Sequence, residues 1–490
     1  MSSHVGIIGG GVAGLSAGTH LANEGYRVTL LERNDQLGGR ARTLERDGFR
    51  FDMGPSWYLM PDVFERYFDR FGRHPEEFYD LTRLDPNYRA IFKDGTRIDV
   101  PADPDELAAV FESYESTAGR ALERYLTRAE DAYETGMAEF VYTDRGRFRD
   151  YLDPRMVLHA RGLRLFASME GHVSRYFSHP KLRQLVQYNL VFLGGSPSTT
   201  PALYSLMAHV DFNLGVYYPE GGIAGVIDAL VSLAIDEGVE VRTGVEATSI
   251  DGERGDFSIT AGEEETLACD LVISAADLAH TELELLDRSQ RHYDRSYWRS
   301  RTLAPSAFML YLGIEGDLDA LEHHTLVLPT DWDPHFESIF DDPRWPKDPA
   351  YYVCRPSATD PTVAPPGHEA MFVLVPVAPG LSDEPTIRER YRETVLSDLE
   401  RQLQTDLTDR IVTEESFCVS EFAAEYNAYQ GTALGLAHTL RQTGPLRPDH
   451  RAKGVDGLYY TGSYTRPGIG LPMALISGEH TAEAIFDDRA

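Results

Sequence analysis

Lysine is nearly absent from this chain of 490 residues. It occurs only at positions 93, 181, 347 and 453, so Arg supplies 42 of the 46 basic side chains. The acidic side chains number 78, which leaves a net charge of −32. An acidic surface with so little Lys is typical of proteins that stay soluble in concentrated salt, and its charge argues against nucleic acid as a partner. We therefore interpret the chain as halophilic, with an ordinary acidic surface as the alternative.

Cysteine and long apolar runs are also scarce. Cys269, Cys354 and Cys418 lie far apart and form no C-x-x-C pair. This spacing predicts neither a disulfide framework nor a metal site, and it fits a reducing compartment. No stretch of about eighteen uncharged apolar residues occurs, so no membrane span is predicted. The first strand begins near Val5, which argues against a signal peptide. We expect a cytoplasmic protein.

The first forty residues carry the most informative pattern. A short apolar strand from about Val5, a glycine turn, a helix through Leu15 and Leu21, and a second strand ending at Glu32 predict a βαβ unit. The turn has the spacing G-x-G-x-x-G, the fingerprint of dinucleotide-binding folds. A plain βαβ turn is the alternative, but strand, helix, second strand and acid occur in the expected order. The pattern therefore predicts a nucleotide site.

Each residue type in this turn has a physical role. Gly9 permits a tight turn, Gly11 lets the backbone approach a pyrophosphate, and Gly14 lets the helix pack closely on the strand. Val12 and Ala13 begin the helix. Its N-terminus offers unpaired N–H groups and a partial positive charge to the phosphates.

The acid and the residues after it discriminate between cofactors. Glu32, about eighteen residues after Gly14, is placed to accept hydrogen bonds from a ribose diol, which favours FAD or NAD over NADP. Gly38-Gly39-Arg40 follows, and the Arg fork matches phosphate oxygens. Residues 9–40 resemble the extended fingerprint of the flavin amine oxidase and phytoene desaturase superfamily, whereas ordinary NAD dehydrogenases lack Gly-Gly-Arg. The pattern therefore favours FAD.

The remaining chain alternates between this theme and other patterns. It is mainly helical from about 105 to 192, mixes apolar strands with one long helix from 300 to 450, and returns to the first theme near 457. We predict an α/β fold: a discontinuous Rossmann-type FAD-binding domain, a mixed-sheet substrate domain and a helical insertion. The predicted boundaries are 1–100, 217–290 and 450–490 for the FAD-binding domain, 101–216 for the helical region and 291–449 for the substrate domain.

A second glycine-rich loop precedes the C-terminal helix. Residues 461–474 indicate a strand end, a loop and a helix start, with Pro472 in the first turn, where helices tolerate it. One interpretation is a helix that simply packs on the sheet. The other aims its N-terminus at the pyrimidine edge of a flavin, where negative charge develops on reduction. The backbone of residues 468–470 would then lie against the isoalloxazine ring.

Further motifs make the resemblance closer. Residues 462–472 (GSYTRPGIGLP) look like the C-terminal motif of bacterial-type phytoene desaturases and their carotenoid-oxidoreductase relatives, and similar matches occur at 51–56 (FDMGPS), 194–197 (GGSP) and 218–222 (YPEGG). The matches follow the family's order along the whole chain. Many flavin relatives carry Gly-Asp where this chain has Gly462-Ser463. The Asp contact to the ribityl chain is therefore absent, and Ser463 or its N–H is expected to replace it.

The resemblance implies FAD and an acyclic carotenoid substrate, desaturated by hydride transfer to flavin N5 and loss of a proton. Either conversion of phytoene to lycopene or 3,4-desaturation toward a bacterioruberin-type pigment fits it. The alternatives are a carotenoid isomerase or ketolase, an amine oxidase, and a non-enzymatic escort factor for prenylated proteins. No nucleophilic or metal-binding constellation stands out. Asp, Glu and His are plentiful, so the sequence assigns no catalytic residue. It also predicts no oligomeric state.

The cofactor-binding residues that these motifs imply come from both ends of the chain. They are Gly9, Gly11, Val12, Ala13, Gly14, Glu32, Arg33, Gly39, Arg40, Gly54, Pro55, Ser56, Val245, Gly462, Ser463, Gly470, Leu471, Pro472 and Met473.

A carotenoid has to reach such a site from a bilayer. Carrying about forty carbons through water costs on the order of 30 kcal/mol at about 0.8 kcal/mol per CH₂, so a monotopic surface that binds membrane lipid is expected. Residues 155–183 hold six basic side chains against only Glu170. At helical spacing they form a polar stripe and an apolar arc; the stripe is Arg161, Arg164, Ser168 and Arg175, and the arc is Met156, Leu158, Leu163, Leu165, Phe166 and Met169. A core helix with solvated Arg side chains is the alternative.

The acid excess predicts that folding depends on salt. At about 1 M salt the Debye length is about 3 Å, short enough to screen repulsion between neighbouring carboxylates. The melting temperature should therefore rise steeply between dilute buffer and KCl on the order of 1 M or more. Sucrose of equal osmolality, which does not screen charge, is the control and should stabilise less. Equal melting temperatures in dilute buffer and in concentrated KCl would contradict the halophilic interpretation.

Overall fold

The computed structural model describes residues 3–146, 167–262 and 265–489. The strands are β1 His4–Ile8, β2 Arg27–Leu31, β3 Thr43–Arg46, β4 Phe49–Asp52, β5 Leu81–Arg83, β6 Tyr88–Phe92, β7 Arg97–Val100, β8 Tyr217–Pro219, β9 Val239–Arg242, β10 Ala247–Glu253, β11 Asp256–Ala261, β12 Glu265–Cys269, β13 Leu271–Ser274, β14 Ser306–Glu315, β15 His324–Leu328, β16 Tyr351–Cys354, β17 His368–Val377, β18 Ile411–Phe417 and β19 Leu458–Tyr460. The α-helices of five or more residues are α1 Val12–Asn23, α2 Pro61–Asp69, α3 Pro104–Tyr114, α4 Ala118–Gly136, α5 Met169–Val173, α6 Pro180–Leu185, α7 Ile223–Asp236, α8 Arg295–Arg299, α9 Asp333–Phe340, α10 Pro385–Leu403, α11 Val419–Tyr426 and α12 Leu471–Asp487.

A parallel sheet of five strands lies at the centre of the nucleotide-binding half. Its order is β19-β13-β1-β2-β9, and every pairing is parallel. The central strand is apolar and buried because both faces are covered, and α1 packs against α7 and α12. The predicted α/β class and the opening βαβ unit are confirmed. The strands come from both ends and the middle of the chain, as the discontinuous pattern predicted.

Helices α1 and α12 approach each other so closely that only glycine fits between them. A Cβ on Gly478 would lie 2.6 Å from the Ala13 carbonyl oxygen and 2.7 Å from the Ala17 nitrogen. The Ser16 hydroxyl donates to the Leu475 carbonyl at 2.7 Å and fixes the register of the two helices. The first and last helices of the chain therefore form one unit.

A mixed sheet of seven strands forms the second half, in the order β18-β14-β17-β16-β15-β6-β7. Strand β6 pairs in parallel with β15, and the other pairings are antiparallel. The hairpin β6–β7 belongs to this sheet, although its residues lie within segment 1–100 of the predicted FAD-binding domain. The smaller sheets are β10-β11-β12, β3-β4 and β5-β8.

The two faces of the seven-stranded sheet bury different partners. One face packs against α10 through Tyr391, Val395 and Leu399. The other packs against the helical region, where Tyr125 of α4 and Phe177 belong to the same buried cluster as the strand residues. The helical region is thus a wall over one face of this sheet.

The predicted lipid-binding segment 155–183 is only partly within the described residues. Positions 155–166, with Arg161, Arg164, Leu165 and Phe166, lie outside them. Over 167–183 a continuous amphipathic helix is wrong, because α5 ends at Val173 and α6 begins at Pro180. Met169 is fully buried, because it packs in the cluster between the helical region and the seven-stranded sheet instead of facing outward. Among the described residues, no helix is both long and apolar enough to cross a membrane.

Candidate functional site

The glycine turn between β1 and α1 is shaped by contacts that exclude larger residues. Gly9 has a φ of +104°, and its N–H donates to the Leu31 carbonyl at 2.8 Å. A Cβ on Gly14 would lie 2.1 Å from the Gly9 carbonyl oxygen. A Cβ on Gly11 would meet only the Gly39 Cα, at 3.9 Å. The protein's own packing requires Gly9 and Gly14, whereas the space beside Gly11 leaves room for a ligand.

Glu32 lies just beyond the carboxyl end of β2 and is buried. Its Oε2 accepts a hydrogen bond from the Gly10 N–H at 2.8 Å, and its Oε1 accepts one from the Asn34 N–H at 2.8 Å. The Glu32 carbonyl accepts from the Val245 N–H at 2.8 Å, which places Val245 beside it. Oε1 also accepts from Asn34 Nδ2 at 3.0 Å, so the remaining lone pair is on Oε2. Glu32 is therefore held in place and still able to accept a hydroxyl donor.

The loop that carries Gly38 and Gly39 touches the first glycine turn. The Gly38 N–H donates to the Gly10 carbonyl at 2.9 Å, and a Cβ on Gly39 would lie 3.2 Å from the Gly11 Cα. The turn at Gly54 adds a third segment. A Cβ on Gly54 would lie 2.1 Å from the carbonyl oxygen of Arg40, the residue that follows Gly39. The Gly38–Gly39 loop therefore contacts the first glycine turn on one side and the Gly54 turn on the other.

The Arg40 guanidinium has an unsatisfied donor at this junction. Its Nε is buried without a hydrogen-bond partner, and its Nη2 lies 3.9 Å from Asp277 Oδ2. Asp277 also accepts from the Tyr464 hydroxyl at 2.6 Å, and its burial raises its pKa. Sequence reasoning missed Asp277 because no motif contains it. Asp277 lies three residues beyond β13, at the edge of the sheet where the Gly9 turn begins. This position after a parallel strand is the signal that could have identified it.

The C-terminal loop reaches the same edge. A Cβ on Gly462 would lie 3.8 Å from the Ala13 Cβ, and the Gly462 N–H donates to the Ser477 hydroxyl at 2.8 Å. Helix α12 begins after Gly470, which has a φ of +125°, and no side chain caps it in the described structure. Its first turn, residues 471–474, is half-buried, whereas the next two turns are buried. The N–H groups at its start therefore face accessible space.

Two buried side chains outside the predicted set hold this loop. Arg447 donates to the carbonyls of Ser463 at 2.5 Å and Thr465 at 3.0 Å, and burial lowers its pKa to about 10, so it stays charged at neutral pH. His438 Nε2 accepts the Ile469 N–H at 3.1 Å. Burial lowers the pKa of His438 well below its usual value, which keeps the ring neutral and able to accept. Sequence reasoning missed both because they precede the loop without forming a motif.

Two predicted residues point elsewhere. Arg33 Nη1 lies 3.6 Å from Glu246 Oε1, away from the glycine contacts. The Ser56 hydroxyl lies 2.8 Å from the Tyr352 hydroxyl on the seven-stranded sheet, with Pro55 half-buried before it. Ser56 therefore joins the cofactor-side turn to the second half of the molecule.

An aromatic cluster continues from Ser56 into the wall of the second half. The Trp57 ring stacks on His324 with centroids 4.3 Å apart and planes 8° apart. It also lies 5.4 Å from Tyr88 and 5.8 Å from Tyr188. These rings provide a dry, polarisable surface directly after the Gly54 turn.

A buried carboxyl group, Asp211, borders this cluster. Its Oδ2 accepts from the Tyr88 hydroxyl at 3.2 Å and the Tyr188 hydroxyl at 3.1 Å, while its Oδ1 is buried without a partner. Burial raises the pKa of Asp211 to about 7 against the two tyrosine hydrogen bonds, which lower it. The group can therefore hold or release a proton near neutral pH inside an apolar wall. Nothing in the sequence marks it, because the fold alone brings its two partners to it.

The raised pKa of Asp211 predicts a pH-dependent free energy of unfolding. The folded state keeps the proton up to about pH 7, whereas the unfolded carboxyl loses it near pH 4, so stability falls as pH rises between these values. The loss is at most on the order of 4 kcal/mol. Asp211→Asn should flatten this part of the curve in denaturant titrations. The exposed Asp131→Asn is the matched control, and an unchanged slope in Asp211→Asn would refute the prediction.

Sequence comparison finds relatives over nearly the whole length of this chain. Two relatives match almost from end to end: a carotenoid 3,4-desaturase of Haloarcula japonica, 59% identical over 99% of this chain and 98% of the relative, and a zeta-carotene-forming phytoene desaturase of Myxococcus xanthus, 33% identical over 98% and 93%. The first relative comes from a haloarchaeon, which fits the halophilic interpretation of the acidic composition.

Solved structures share the fold at low sequence identity. An oxidoreductase from Methanosarcina mazei superposes with a TM-score of 0.65 at 18% identity, covering 98% of this chain and 100% of that one. A putrescine oxidase solved with putrescine gives a TM-score of 0.64 at 16% identity, covering 99% of both chains. The family model described as flavin containing amine oxidoreductase matches residues 12–486. The chain is therefore an oxidoreductase that belongs to the flavin containing amine oxidoreductase family.

Proposed function

We propose that this protein binds FAD and desaturates an acyclic carotenoid at its 3,4 bond. The observation that carries the proposal is the sequence match with the carotenoid 3,4-desaturase of Haloarcula japonica, which is 59% identical over 99% of this chain. A phytoene dehydrogenase of Streptomyces griseus and a phytoene desaturase of Neurospora crassa are further relatives that support the same substrate class. Carotenoid desaturases match this chain at 33% and 59% identity and the putrescine oxidase at only 16%, which favours desaturation over amine oxidation.

The first glycine turn, the Gly38–Gly39 loop and the Gly54 turn meet at what we call the glycine junction. The residues at this junction fit FAD. Glu32 Oε2 has a lone pair left for a ribose hydroxyl, and the free space beside Gly11 admits a pyrophosphate. The buried, unpartnered Nε of Arg40 suits a phosphate oxygen. The uncapped start of α12, with Leu471, Pro472 and Met473, would face the flavin ring at the other end.

Bound flavin would supply the hydride acceptor that the protein's own side chains lack. The protein's part is to position the polyene and exclude water. The helical wall, with α4 and Tyr188, closes one face of the seven-stranded sheet. Trp57 contacts both Tyr188 of the wall and Tyr88 of β6 and links them to the cofactor turn. Asp211 is the buried carboxylate in this wall that is able to take up the proton released as the double bond forms.

The mass of the product tests the proposed function. Purified protein loaded with FAD should convert an acyclic carotenoid in liposomes to a product that lacks two hydrogens and absorbs at longer wavelength. An isomerase would leave the mass unchanged, and a ketolase would add oxygen. Either of those products, or none in the presence of bound flavin, would contradict desaturation.

A charge-matched pair of variants links this activity to the cofactor site. Glu32→Arg removes the carboxylate that anchors Gly10 and Asn34 and should weaken FAD binding at least about tenfold, the usual cost of losing a charged hydrogen-bond partner. Glu24→Arg makes the same charge change at an exposed position and should retain flavin and product. Normal flavin absorbance in Glu32→Arg would count against the site.

We further propose that lipid contact occurs at the loop 439–447. The large apolar side chains exposed among the described residues are Ile235, Val412, Leu440 and Leu446. Leu440 and Leu446 share this loop. It follows His438 and ends at Arg447, the two residues that hold the loop before α12. A substrate entering beside it would arrive next to the proposed flavin ring.

Paired substitutions test this surface. Leu440→Ser with Leu446→Ser should reduce cosedimentation with liposomes and slow turnover of membrane-borne carotenoid, because both are half-exposed and apolar. Ile235→Ser with Val412→Ser removes equally exposed side chains elsewhere and should change neither. Concentrated salt screens the charge of the lipid headgroups. The loss of apolar contact should therefore account for most of the change in liposome binding. Equal liposome binding by both pairs would rule out this loop.

A further inference from the structure

We infer that His323, His324 and Cys354 form a binding site for a zinc-class divalent metal ion. The three lie where the start of β15 meets the end of β16, and all are buried. One ligand atom from each lies within 4.8 Å of the other two. The inference does not depend on the proposed carotenoid chemistry.

The register of the sheet places these side chains together. His324 and Cys354 are direct partners across β15 and β16, so their side chains share one face of the sheet. His323 precedes β15, and its ring centroid lies 4.5 Å from that of His324. Tetrahedral zinc with bonds of about 2.0 Å to nitrogen and 2.3 Å to sulfur sets its ligand atoms about 3.5 Å apart. Small side-chain rotations therefore suffice to close the site.

The imidazoles have the hydrogen-bond pattern of metal ligands. His323 Nδ1 lies 2.7 Å from the Thr359 hydroxyl, and His324 Nδ1 lies 2.6 Å from the Tyr352 hydroxyl. Both Nε2 atoms are buried without a partner. A ring held at one nitrogen and open at the other is the usual arrangement of a metal-bound histidine. A buried polar atom without a partner is otherwise costly, and a bound ion would satisfy both.

Protonation and local charge also suit a cation. Burial lowers the pKa of His323 to about 3 and that of His324 well below its usual value, so both rings are neutral, the form that binds metal. Burial raises the pKa of the Cys354 thiol to about 12, and a bound ion would offset this by stabilising the thiolate. Arg355 lowers the pKa of His323 and Asp360 raises it by less, while the Asp52 carboxylate raises the pKa of Cys354. Arg355 is paired with Glu369 at 3.2 Å, which offsets its charge.

A second cluster, Asp144, His450 and His480, has comparable spacing but a poorer environment. Arg466 donates to both oxygens of Asp144, at 2.5 and 3.1 Å, so a cation already occupies that carboxylate. A divalent ion there would face the guanidinium at close range. The Cys354 site has no such competitor among the described residues, and its thiolate favours zinc over calcium or magnesium.

Cobalt(II) binding to the full-length protein tests the inference, because a Co²⁺–thiolate bond gives a near-ultraviolet charge-transfer band. Protein stripped with a chelator, at the salt concentration that keeps it folded, should bind about one equivalent and show this band. Cys354→Ser should abolish the band, and His323→Gln should weaken binding at least about tenfold. Cys269→Ser and Cys418→Ser remove the other two buried thiols and should keep it.

The controls make the result decisive. A band lost only with Cys354 supports the site, because all three cysteines are buried and a general folding defect would follow any of the three substitutions. No stoichiometric Co²⁺ in the native protein, a band that survives in Cys354→Ser, or a band lost equally in the two control variants would overturn the inference. Binding that disappears with His480→Gln and persists in Cys354→Ser would place the ion at the other cluster and equally overturn it.

Discussion

Close approach of backbone to backbone at the glycine junction is the constraint on which the rest of the structure depends. Gly14 against the Gly9 carbonyl, Gly54 against the Arg40 carbonyl and Gly478 against α1 leave no room for a single added carbon. Such contacts expose N–H groups at one edge of the parallel sheet, where a helix N-terminus adds its own. Segments from the start, the middle and the end of the chain must therefore assemble before the site exists.

The second half of the molecule provides a contrasting environment. Its seven-stranded sheet is covered on one face by α10 and on the other by the helical wall, so both faces are dry. Buried polar groups lie inside it, among them Asp211, whose Oδ2 is held by two tyrosines. Ser56 and Trp57 join this apolar interior to the glycine junction through Tyr352 and His324. A redox centre placed at the first region would thus face a water-poor space formed by the second.

Arginine is used differently inside and outside. On the surface, acidic side chains dominate, and the solvent's salt must screen them. Inside, Arg447 is surrounded by backbone carbonyls, and Arg466 is paired with Asp144 and Asp449. The planar guanidinium with five donors suits both tasks, because it can satisfy several carbonyls or a carboxylate at once. Both interior arginines organise the loop that leads into α12, so the near-absence of Lys does not weaken the interior.

The sequence by itself determined the βαβ unit, the parallel sheet it begins, the glycine positions and the family, because those features depend on local spacing and on residue types with one physical role. It also predicted that Gly11, Gly39, Gly54 and Gly462 bind one cofactor. Only the tertiary structure decided where the hairpin β6–β7 pairs and that Met169 is core, since a helical apolar pattern does not say which partner covers it. Asp211, Asp277, Arg447 and the group His323, His324 and Cys354 were likewise invisible in the sequence. Their neighbours are distant in the chain, and burial, which alters their pKa values, arises only from packing.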